Sequence, residues 1–204
     1  MTNPSQQNPV ACYSPERVQQ VIDHFYPGET PLKQLLLRHS RQVRDKALAI
    51  LAMPGNERLG LSADMASAAA MLHDLGIGQC HAPSILCTGR EPYLAHGLIG
   101  ARLLRDYGRQ TGEDWEACAR VCERHTGTGI TAEDIRRQQL PLPERNFLPE
   151  TPLEKLICLA DKYFSKSGDL QEKTRDQILR ELSRFGPKTV RRLQDLWDFF
   201  NLGQ

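Results

Sequence analysis

Long apolar runs are missing from this 204-residue chain. No stretch approaches the roughly 20 residues needed to cross a bilayer, so no membrane role is expected. An excess of one charge is missing too. Its 26 basic and 25 acidic side chains leave a formal charge of +1, without the basic field of a dedicated nucleic-acid binder. A small anionic substrate stays open, because only the local charge need be positive. The six cysteines (Cys12, Cys80, Cys87, Cys118, Cys122, Cys158) form no CxxC pair and no compact framework, and read as reduced thiols of a cytoplasmic protein. The opening MTNPSQQNPVACYS lacks the basic start and apolar core of a secretory signal. No GxxxxGK[ST] phosphate loop or GxSxG elbow occurs, and no stretch alternates with the period of a strand.

What is present is helical periodicity. Ser14-Pro15 is a cap followed by proline, and Val18, Val21, Ile22 and Phe25 then recur at helical spacing up to Tyr26-Pro27-Gly28. A second helix is expected over 31–53 and an Ala-rich third over 62–75, closed by Gly76 and Gly78. A fourth starts near Pro92 and a fifth near Glu113. Thr131 with Asp134 and Thr151-Pro152-Leu153-Glu154 are capping patterns for a sixth and a seventh. Two more, over 174–185 and 187–200, finish the chain as a lid or a packing surface, and 138–150 reads as an ordered loop. The fold class expected is all-α. A flexible segment, 1–13, precedes one helical domain, 14–204, of ordinary size and composition.

The chemistry gathers on this helical frame. His73-Asp74 closes an apolar helix in AAAMLHDLGIG, where neither group is cheap to bury unpaired. His39, His96, His125 and Asp161 each lie on or beside the apolar stripe of another helix. One such histidine is ordinarily a core residue bonded to a carbonyl, and one aspartate a satisfied buried carboxylate. Six in this order, pointing into one interior, are better explained by a metal. His24 is expected to face solvent and His81 to lie in a loop. Cys118, Cys122 and His125 form CxxxCxxH, but the two thiols fit helical packing equally well, which leaves His125 as the ligand.

In these segments the chain resembles the HD-domain superfamily of metal-dependent phosphohydrolases. HSRQVRDKALAI, MLHDLGIG, AHGLIGARLL, ERHTGTG and LEKLICLADKYFSK are similar, in order, to its first-histidine, signature, third-histidine, fourth-histidine and final-aspartate segments. Within it, the group with two extra histidines that hydrolyses diadenosine tetraphosphate is similar, as are small uncharacterised HD proteins. The resemblance implies an HD-type helical bundle with its metal-site core at about 32–166 and additional C-terminal helices. It implies a first metal on His39, His73, Asp74 and Asp161 and a second on His96 and His125, with Asp74 bridging and catalytic.

The ions implied are divalent transition metals (iron, manganese, zinc, cobalt or nickel), with magnesium a further option. The reaction implied is cleavage of a nucleotide, dinucleoside polyphosphate or similar small phosphoester by metal-activated hydroxide. The alternatives are a di-iron HD-type oxygenase and a non-catalytic ligand-binding module. Many relatives carry a lysine after the signature, where this chain has Ile77-Gly78-Gln79. Phosphate contacts are therefore sought at Lys166 first, then Lys162 and Arg124, each of which also reads as a solvated surface charge. The expected partner is a small phosphorylated substrate, with no nucleic acid and no membrane, and a homodimer is left open.

Overall fold

The computed structural model describes residues 13–168 and 171–203, so most of the expected flexible segment, and Cys12, lie outside the described residues. The chain folds as α1 (Pro15–Phe25), α2 (Pro31–Leu51), α3 (Ala63–Leu72), α4 (His96–Thr111), α5 (Glu116–Arg124), α6 (Ala132–Gln138), α7 (Pro152–Asp161), α8 (Arg175–Ser183) and α9 (Pro187–Phe199). Side-chain caps set most of the starts. Ser14, Thr30, Ser62, Thr131, Thr151 and Thr174 each accept a bond from the backbone N–H three residues on. Both capping boxes expected from the sequence form, and Thr174 with Gln177 makes another.

The core is the meeting of the apolar faces of α2, α3, α4, α5 and α7. Leu36, Val43 and Ala47 of α2, Ala66, Ala68, Ala69 and Ala70 of α3 and Leu156 and Ile157 of α7 are buried there. The alanines let α2 and α3 approach closely, which brings the end of α3 beneath His39 of α2. Of the C-terminal helices α9 packs on α7: its Trp197 donates from Nε1 to Tyr163 Oη, just beyond α7, at 3.1 Å, and its Leu193 and Leu196 are buried.

Three local expectations are corrected. α3 ends at Leu72, three residues before Leu75, because the chain turns at His73-Asp74 into a 3-10 turn, Leu75–Gln79. α4 and α5 begin later than expected, at His96 and Glu116, with Tyr93–Ala95 forming a separate 3-10 turn. A small sheet, not foreseen, follows the signature: β1 (Cys80–Ala82) lies between β2 (Cys87–Thr88), antiparallel, and β3 (Glu91–Pro92), parallel. Strands this short carry no readable alternation.

The signature glycine has a packing reason. A Cβ on Gly76 would lie 2.1 Å from the carbonyl oxygen of His96 and 2.5 Å from the amide nitrogen of Gly100. Only glycine lets the turn after Asp74 rest on the backbone of α4. Gly97 does the same toward α5, where a Cβ would meet the Cys122 carbonyl oxygen at 2.4 Å. These approaches set His96, Asp74 and His125 beside one another.

Candidate metal centre

All six expected ligands converge. Asp74 is fully buried at the middle. On one side its Oδ2 lies 3.1 Å from His73 Nε2 and 3.4 Å from His39 Nε2. On the other its Oδ1 lies 3.5 Å from His96 Nε2 and 3.5 Å from His125 Nε2. Asp161, at the end of α7, reaches the first group, with Oδ1 3.0 Å from His39 Nε2 and 3.5 Å from His73 Nε2. His39, His73 and Asp74 form one set of donor atoms close enough to hold a cation, and Asp74, His96 and His125 form another. His24 and His81 are exposed and belong to neither set, although His81 lies on β1 and not in the expected loop.

Backbone carbonyls fix which nitrogen faces inward. His73 Nδ1 donates to Ala70 O and His96 Nδ1 to Tyr93 O, each at 2.7 Å, and His125 Nδ1 donates to Cys122 O at 2.8 Å. Their Nε2 atoms therefore face the carboxylate and one another, and His96 and His125 Nε2 are 3.0 Å apart. Two lone pairs at that separation repel unless a cation or proton lies between them. His73 Nε2 and Asp74 Oδ1 are buried and make no hydrogen bond, a condition costly to sustain without a further partner. Imidazole nitrogen with carboxylate oxygen suits a divalent transition metal better than calcium, and imidazoles oriented by carbonyl acceptors are the usual surroundings of such an ion. The residues fit a divalent metal.

The electrostatics carry the same pattern. Burial pulls the His73 imidazole down, but the Asp74 and Asp161 carboxylates more than reverse it, to about 9. Burial, then the neighbouring His125 ring, push His96 down to about 3. His125 and His39 are lowered as well, chiefly by burial. For Asp74 burial acts upward, yet His73 and Lys166 hold the carboxyl well below the usual range, and Lys162 and His39 do so for Asp161.

Lys166 Nζ sits 2.6 Å from Asp74 Oδ2, inside the site. Lys162 Nζ contacts Asp161 Oδ2 at 2.7 Å and donates to the His125 carbonyl at 3.2 Å. Both lysines, with Asp161, line a cleft of about 430 Å³ that also presents Ser84, Ser165 and Ser167. Arg124 lies elsewhere. It is buried among Glu123, Glu150 and Glu154 at 3.1, 3.5 and 3.4 Å and lines no part of the cleft, so the expected phosphate contact is not formed there.

Tyr93 is the site residue that the sequence reading missed. Its carbonyl orients His96, its ring stacks on that imidazole (4.7 Å between centroids, 21° between planes), and it lines the cleft. Burial, then Asp74, raise its phenol above the ordinary value. Its place three residues before His96, in a single 3-10 turn, was the available signal.

The family model described as HD domain matches residues 36–165. An uncharacterised protein of Methanocaldococcus jannaschii is 29% identical over 126 residues, 62% of this chain and 64% of that protein. Two proteins named tRNA (cytidine(56)-2'-O)-methyltransferase are also similar. That of Picrophilus torridus is 31% identical over 132 residues, 64% of this chain and 32% of its own length. That of Thermoplasma volcanium is 27% identical over 143 residues, 70% of this chain and 35% of its own length. The chain spans less than two thirds of each of these relatives.

Proposed function

The chain belongs to the HD domain family, and on that footing we propose that it is a metal-dependent phosphohydrolase acting on a nucleotide or a similar small phosphoester. One observation carries the proposal: two ligand sets share Asp74 beside a cleft that presents Lys162 and Lys166. His39, His73, Asp74 and Asp161 would hold one ion, and His96 and His125, with Asp74, a second. Divalent ions there would lower the pKa of a water and stabilise charge on phosphoryl oxygens.

The chain's own residues supply the rest. Asp74, shared by the two ligand sets, would orient the attacking group. Lys162 and Lys166 stabilise phosphate charge at the cleft floor. Tyr93 walls the cleft and keeps the His96 ring in place. Methyl transfer to tRNA is the named activity of proteins of which this chain covers about a third, and it is not carried over.

Metal content by mass spectrometry, followed by phosphate release from mono- and dinucleotides with manganese, iron, cobalt or magnesium, tests the proposal. Metal binding with phosphate release supports it. Oxygen uptake with a mixed-valent iron signal and no phosphate release would replace it with the di-iron oxygenase alternative.

A further inference from the structure

Beside the lysine-lined cleft lies a second cavity, of about 170 Å³, with a different character. Leu94, Ile130, Leu140, Leu182 and Phe185 supply apolar walls, and the Thr126–Ile130 loop, which directly follows His125, supplies its floor. The two spaces are neighbours. Leu182 lines both, and the consecutive residues Tyr93 and Leu94 line the cleft and the cavity respectively. Lys162 of the cleft donates to the carbonyl of His125, one residue before the cavity floor.

The polar groups around this cavity are mostly committed to one another. Thr128 Oγ1 donates to Thr189 O and accepts from Arg192 Nε, each at 3.3 Å. Arg192 also donates to Gly129 O and to Thr189 Oγ1, both at 3.3 Å. Asp134 Oδ2 holds Thr131 Oγ1 at 2.7 Å, and its Oδ1 holds Arg137 at 3.0 Å. Among the described lining residues, the Thr126 hydroxyl and the Gln138 amide are left to meet an occupant. At the rim Phe185 is 55% exposed, although large apolar residues of this chain are otherwise mostly covered.

We infer that this cavity receives the organic group of the phosphoester, a single planar uncharged ring such as one nucleobase, stacked on Phe185. The inference rests on the phosphohydrolase reading for its phosphate end. An exposed aromatic face at the mouth of an apolar space favours a flat ring, and such stacking is tolerant of base identity. A rim that leaves only the Thr126 hydroxyl and the Gln138 amide uncommitted reads the edge of that ring loosely. One cavity of this size holds one ring, so a second nucleoside of a dinucleotide would lie outside it.

Fluorescence titration with 2-aminopurine riboside 5'-monophosphate, on protein incubated with manganese, tests this. Saturable binding is expected, weakened at least tenfold by Phe185→Ala and by Gln138→Trp, the latter placing a bulky ring at an exposed rim position. Adenosine and uridine monophosphates should displace the probe with affinities within about fivefold of each other. Wild-type affinity in both variants, or no binding to the wild-type protein, overturns the inference, and selectivity above a hundredfold between the two bases overturns the weak reading of the ring. Hydrolysis of inorganic tripolyphosphate by the wild-type protein is measured alongside. Binding without any phosphate release keeps the cavity and removes the phosphohydrolase reading, while release that continues with the cavity tests failed does the reverse.

Discussion

Lys166→Met should tighten divalent-metal binding. Lys166 Nζ lies 2.6 Å from Asp74 Oδ2, and at an effective dielectric near 20 two unit charges at that distance attract by about 6 kcal/mol. The same oxygen belongs to the first ligand set, so an arriving cation must displace the ammonium or tolerate a like charge beside it. Only part of the gross attraction survives the cost of burying the ammonium. A quarter of it still amounts to about 1.5 kcal/mol, a little more than a tenfold change in a dissociation constant. Isothermal titration of chelator-stripped protein with manganese is the assay, expected to give a dissociation constant at least tenfold lower in Lys166→Met than in the wild type. The stripped variant should also melt earlier, because Asp74 loses its counter-charge. Equal or weaker manganese binding by a folded variant would refute the competition and place the lysine and the metal in the site together.

Asp74→Ala should remove both metal occupancy and phosphate release, and His125→Ala should preferentially weaken the second metal. Full metal content in the Asp74 variant, by mass spectrometry, rejects the bridging role. Gly76→Ala should cost about 1–3 kcal/mol by overpacking, since its methyl would collide with the His96 carbonyl; denaturant unfolding measures it, and a neutral result would mean that the turn is not pinned to α4. Glu113 is lowered chiefly by its hydrogen bond from Arg17, at 2.5 Å, which ties α1 to the turn before α5. A depressed carboxyl stabilises the fold above its unfolded pKa of about 4.3 and loses that contribution as pH falls through its lower folded value. Glu113→Gln should therefore cost about 2–4 °C of Tm at pH 7, for a pair worth about 1 kcal/mol, and the difference should fade toward pH 3.

Features written in neighbouring residues were legible from the sequence. The caps at Ser14, Thr131 and Thr151 and the stripe through Val18, Val21 and Ile22 place their helices where the structure has them. The convergence of His39, His73, Asp74, His96, His125 and Asp161 was also legible, because each imidazole or carboxylate interrupts an apolar face and so must share the interior with the others. What the sequence did not disclose depends on tertiary distance. Lys162 and Lys166 could be preferred because they follow Asp161 at helical spacing, but nothing local shows that Arg124 turns away to Glu150 and Glu154 or that Lys166 reaches Asp74, since those partners are far away in the chain. Tyr93 was missed for a related reason: its carbonyl and its ring face serve His96, and neither is a side-chain donor that a ligand search looks for. The early end of α3 has a backbone cause, the fit of Gly76 against α4, which no propensity of residues 73–75 could announce.

The charge at the centre links the metal to the anion. Asp74 and Asp161 are each met by an ammonium, Lys166 at 2.6 Å and Lys162 at 2.7 Å, so these four groups sum to zero before any ion binds. Each divalent ion added brings two positive charges, the first of them offset in part by the proton displaced from His73, in a place where water is scarce and screening weak. Such a site favours an anion that enters with the metal, and the cleft beside it offers the two lysines and three serines as the remaining contacts. Metal and phosphate should then bind cooperatively, each raising the affinity for the other by the same factor. A neutral ligand gains nothing from that arrangement. This separates a phosphoester site from one that uses the same six ligands to handle an uncharged molecule such as oxygen, and the measurement that decides is the manganese affinity with and without inorganic phosphate.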